Sequence, residues 1–115
     1  MKLLTNSAGA YLTGDDIADE VLRYSAALAN EQRVDLVDVP YIAIDDHGHV
    51  GTVRLSVGWQ VHVNAADYDG HVVELRDDPV LADLRVRIRT LSPRGDTLLT
   101  PGEIAFLAEM GEYDL

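Results

Sequence analysis

Between residues 53 and 63 the odd positions are Val53, Leu55, Val57, Trp59, Val61 and Val63, and the even ones are Arg54, Ser56, Gly58, Gln60 and His62. Successive side chains of a strand point to opposite faces, so this alternation predicts one continuous strand with a dry face and a wet face. A strand of that kind needs neighbours to pair with and a roof over its apolar side, which excludes an all-helical chain. Gly58 predicts a bulge or bend within it, and Trp59, in register with Val57 and Val61, reads as a core residue.

The neighbouring segments supply the partners. Residues 34–44, VDLVDVPYIAI, are rich in β-branched and apolar side chains, and Pro40 argues for an edge position or an irregularity there. DDHGH, residues 45–49, has the aspartates and glycine of a tight connection, so the two runs pair as an antiparallel hairpin. NAADYDG, residues 64–70, reads as a turn, and residues 71–75, HVVEL, as a third strand.

Helices flank this β region. Ile17, Val21, Tyr24 and Leu28 recur at helical spacing, with Thr13 as the expected N-cap and Asp15, Asp16, Asp19 and Glu20 near the positive end of the dipole. LRVRIRTL, residues 84–91, alternates arginine with apolar residues and could be a basic strand. Read together with DDPVLADL before it, the stretch is better served by a helix. Asp78 would cap it and Pro79 would start it, while Val80, Leu81, Leu84, Ile88 and Leu91 share one side and only Val86 faces away. Its arginines then become ordinary solvated charges, with Asp83 and Arg87 an i, i+4 pair. A third helix is expected from residue 100 onward, where Thr100, Pro101 and Glu103 form a capping box.

The expected fold is therefore α+β: a small antiparallel β-meander of two to three strands, packed against an N-terminal amphipathic helix and two C-terminal helices. Residues 1–115 read as one globular domain, with 1–11 and 111–115 at frayed ends. The chain has no cysteine, which removes disulfides, thiolate metal sites and cysteine nucleophiles. No segment is apolar enough for a membrane span or a secretion signal, so the cytoplasm is the expected location.

Charge narrows function further. Nine lysines and arginines face 20 acidic residues, a formal net charge of -11. That field repels nucleic-acid backbones and anionic membranes and favours a basic protein partner. No phosphate-cradling glycine motif, cofactor motif or catalytic set is recognisable. Asp45, Asp46, His47 and His49 have the side chains of a zinc, nickel or copper site, but the same residues are what a hairpin turn requires, and the turn is the preferred reading. The RGD at residues 94–96 is read as coincidence.

The leading expectation is a noncatalytic protein-interaction or oligomerisation module. It would be a homo-oligomer or bind a protein partner, through the acidic first helix, residues 15–31. The alternative is a small enzyme or ligand-binding protein that uses Arg54, Gln60, His62 and Asn64 on the wet face of residues 53–63.

Overall fold

A computed structural model describes residues 1–43, 48–70 and 72–91. The order is β1 (Lys2–Asn6), β2 (Gly9–Thr13), α1 (Asp15–Asn30), β3 (Val34–Ile42), β4 (Val50–Gly58), β5 (Asn64–Asp67) and α2 (Asp78–Leu91). The five strands form one antiparallel sheet in the order β4-β3-β2-β1-β5. The class is α+β as expected, but the sheet is larger than a two- or three-stranded meander. A β-hairpin precedes the first helix.

That hairpin occupies the residues expected to fray. Asn6 makes its turn: the side-chain Oδ1 accepts from the backbone N–H groups of Ala8 and Gly9, at 2.8 and 3.0 Å. Residues 64–67, read as a turn, instead pair with β1 as β5. Residues 72–75, read as a strand, have no regular structure. The third expected helix, the RGD tripeptide and residues 111–115 lie outside the described residues.

α1 buries Ile17, Ala18, Val21, Tyr24, Ser25 and Leu28. They pack against Leu4, Val37, Val39, Leu55 and Val57 from one face of the sheet, and Leu81 and Leu84 of α2, which packs beside α1, complete the core. The four strands β4, β3, β1 and β5 all touch α1. Flat strands so far apart in the sheet would span about 19 Å, more than the roughly 10 Å width of a helix, so the sheet must curl round α1.

The same curl explains the long alternating segment. β4 ends at Gly58, where φ is +116°. An added Cβ there would lie 2.3 Å from the Arg33 carbonyl oxygen, so the position requires glycine. The chain turns, Gln60 also adopts a positive φ of 60°, and residues 59–63 cross to the far edge of the sheet. Trp59 is consequently not a core residue; it stands at the end of the hairpin with 41% of its surface exposed.

Pro40 sits in an internal strand without loss. Ala43 N–H bonds to the His49 carbonyl and Trp59 N–H to the Arg33 carbonyl, so the β3–β4 ladder is carried by odd-numbered residues. Even-numbered residues of β3 turn their backbone groups toward β2, whose ladder with β3, among the described residues, pairs Leu12 with Ile42. Position 40 therefore has no ladder donor to lose, and its carbonyl accepts from the Thr13 hydroxyl at 2.8 Å. With Thr13 so engaged, Gly14 is the N-cap of α1 and makes no side-chain cap. A distant carboxylate, Glu74, accepts the Asp15 N–H in its place.

α2 confirms the helical reading of the arginine-rich stretch. Leu81 and Leu84 are buried, Val80, Ile88 and Leu91 half-buried, and Val86 is 48% exposed. The cap is Asp77 rather than Asp78: its Oδ1 accepts from Val80 N–H at 3.1 Å.

Candidate functional site

Arg54, Gln60, His62 and Asn64 are all exposed, and they do not share a strand face. Arg54 stands on β4, where its Nε donates to Asp38 Oδ1 at 2.8 Å. Gln60 and His62 lie in the link after Gly58. Asn64 opens β5, at the opposite edge of the sheet from β4. Of Asp45, Asp46, His47 and His49 only His49 is described, and it is exposed; the other three lie outside the described residues.

Two polar clusters join elements. In the first, the Tyr24 hydroxyl donates to Asp35 Oδ2, and Arg87 Nη1 donates to the same oxygen at 3.1 Å and to the Leu36 carbonyl at 3.0 Å. Arg87 is held from behind by Asp83 at 2.9 Å and lies 6.0 Å from the Tyr24 ring centre. Burial pushes the Tyr24 hydroxyl pKa up, helped by its bond to Asp35. The Tyr24 hydroxyl in turn holds the Asp35 carboxyl below its ordinary value of 3.8, with the Leu36 N–H and Arg87 adding to the effect.

This cluster ties α1, α2 and β3 together, and every group in it has a partner. Because the folded Asp35 titrates below its unfolded value, its contribution is present above about pH 4 and is lost as pH falls through the folded pKa. Tyr24→Phe is expected to lower stability by about 1 kcal/mol, reduced from the usual figure for bonds to charged groups because the Asp35 side chain is 41% exposed. Urea unfolding at pH 7 and pH 3 checks it: the gap between variant and native chain should narrow at the lower pH.

The second cluster surrounds Glu20, whose side chain is 10% exposed. Arg85 Nε reaches its Oε2 at 3.3 Å and Arg23 Nε lies 3.8 Å from Oε1. These residues, with Ile88 and Arg89, line an open cleft of about 220 Å³ between the two helices.

The larger electrostatic feature is a pole. Asp16 of α1 reaches toward Arg76, Glu20 toward Arg85, and Tyr24 toward Arg87, so the two helices run side by side in the same sense. Both N-termini therefore lie at one end of the molecule. There Asp15, Asp16 and Asp19 of α1 meet Asp67 and Asp69 at the end of β5 and Glu74, Asp77 and Asp78 before and in the first turn of α2.

Contacts fix these segments against one another. The Met1 ammonium binds Asp15 and Glu74, each at 2.9 Å; Lys2 Nζ binds Asp19 at 2.8 Å; Lys2 pairs across the sheet with Asp67; and Tyr68 N–H bonds to the Met1 carbonyl. Eight carboxylates thus face three cations: the ammonium, Lys2 and Arg76. Beyond this pole, along the helices and the start of β3, Arg23, Arg33, Arg85, Arg87 and Arg89 outnumber Glu20, Glu31, Asp35 and Asp83.

Helix dipoles favour this arrangement, but they account for little of it. Two N-termini carry about half a positive charge each, roughly one in all, against a surplus of five carboxylates at the pole. The surplus is a surface property, and residue spacing in the sequence concealed it because it is assembled from three segments. α1 alone is not an acidic surface: Asp15 and Asp19 are spent on internal cations and Glu20 is buried.

The fold and this surface define an α+β protein with strong charge asymmetry. No family model matches the chain, and neither a curated protein nor a solved structure matches it. Among the described residues no helix is long and apolar enough to cross a membrane.

Proposed function

We propose that the chain is a noncatalytic protein-interaction module whose acidic pole receives a basic protein partner. The carrying observation is the surplus of carboxylates gathered at one end by α1, β5 and the start of α2. Charges focused on one face raise the encounter rate with an oppositely charged surface and orient it, and the effect falls with salt. The alternative ligand site draws no support from the geometry, since Arg54 is paired and Asn64 stands on the other edge strand.

The test is affinity capture on the immobilised chain, with the native protein beside a variant carrying Asp67→Asn, Asp69→Asn and Asp78→Asn. None of these three supplies a cap or one of the ion pairs above, so the fold should persist, as circular dichroism can verify. Basic proteins are expected on the native chain at about 0.1 M salt and should be lost at about 0.5 M salt and on the variant. Recovery that ignores both salt and the substitutions would contradict the reading.

A further inference from the structure

We infer that β4 is a second interaction surface, separate from the acidic pole, through which two copies of this chain pair edge to edge. β4 is an outermost strand of the sheet, nine residues long. The ladder to β3 uses its odd-numbered residues, so Val50, Thr52, Arg54 and Ser56 direct their N–H and C=O groups away from the sheet. Among the described residues these groups meet no hydrogen-bond partner.

Edges of this length are normally blunted by proline, lysine, a bulge or an inward charge. VGTVRLSVG, residues 50–58, contains none of them. Its one charge, Arg54, is cancelled by Asp38 at 2.8 Å. The sheet face beside the edge is apolar for a surface: Val50 is 58% exposed, Val34 55%, Leu36 51%.

Charge selects the occupant. Any second copy brings another net charge of -11, which opposes contact over most of the surface. Residues 47–66 contain no Asp or Glu, the longest such interval in the chain, and they include all of β4. A copy of this chain can approach there without setting carboxylate against carboxylate, whereas a basic partner finds nothing to attract it.

An antiparallel pair about a two-fold axis is also geometrically consistent. The outward-facing residues are all even-numbered, so a two-fold through Val53 places Arg54 of one copy opposite Thr52 of the other. Like charges then do not confront each other. The result is a continuous ten-stranded sheet with no β4 edge left exposed.

Light scattering after size exclusion, on the full chain at about 100 µM, tests this. The native chain should run at twice its 12.6 kDa mass. Ser56→Pro removes an outward donor that the ladder to β3 does not use, and Thr52→Glu with Ser56→Glu places acids in the acid-free interval at two exposed positions; both variants should run as monomers with unchanged circular dichroism. A native monomer overturns the inference, as does a dimer that survives both variants. The outcome is independent of the capture experiment, whose variant leaves β4 untouched.

Discussion

Gly58→Ala is expected to cost about 3 kcal/mol of stability, the sum of a backbone conformation nearly reserved for glycine and an overpacked contact. The φ of +116° is the first term. The second is space: the new Cβ would sit 2.3 Å from the Arg33 carbonyl oxygen, 3.0 Å from Leu28 Cβ and 3.2 Å from Val34 Cα. Two of these are backbone atoms at the entry to the opposite strand, and the third is on the helix that the sheet wraps, so no flexible side chain can move to make room. The site also ends β4, positions Ser25, whose hydroxyl oxygen accepts the Gly58 N–H at 2.9 Å, and starts the crossing to β5. Chemical denaturation should show a lower midpoint, and a loss below about 1 kcal/mol would mean that the chain does not turn where the structure places the turn.

Gly14→Ala is expected to cost about 2 kcal/mol or more, for a different reason. Its φ of -67° suits any residue, so conformation contributes nothing. The obstacle is a close approach: an added Cβ would lie 1.9 Å from the Leu75 carbonyl oxygen and 3.1 Å from Glu74 Oε2. Segment 72–75 has no sheet partner to hold it, so it should yield before α1 does. Glu74 would then withdraw from both the Asp15 N–H and the Met1 ammonium. The variant should therefore lose stability and also loosen the acidic pole, visible as faster hydrogen exchange at the first turn of α1. Unchanged stability together with unchanged exchange would show that residues 72–75 do not lie against the start of the helix.

These two glycines mark where residue patterns are and are not informative. Helical periodicity located α1 and α2 well, because a helix is a local structure and its buried face is fixed by spacing alone. It even singled out Val86 as the residue facing away. Alternation found β3 and β4 but overran the end of β4, since Val61 and Val63 keep the rhythm after the backbone has left the sheet. Only the φ of Gly58 stops the strand, and composition can flag that position without saying which way the chain turns.

β1 and β2 were legible in retrospect: apolar residues on either side of Asn6 and Gly9 are the ordinary sign of a hairpin. β5 was not, because Asn64 and Asp67 are turn residues by propensity and are held in a strand by pairing with β1. The acidic pole was the least legible feature. It depends on two helices running in the same sense and on Glu74 capping a helix 59 residues away in sequence. No local pattern encodes either fact.

The claim that the pole formed by α1, β5 and the start of α2 is the binding surface is tested most directly by hydrogen exchange of the chain alone and with its captured basic partner bound. Binding should slow exchange in residues 15–19, 67–70 and 72–78 together, since one partner face would cover all three segments. Protection confined to β4, or to the arginine-rich end of the two helices, would contradict it.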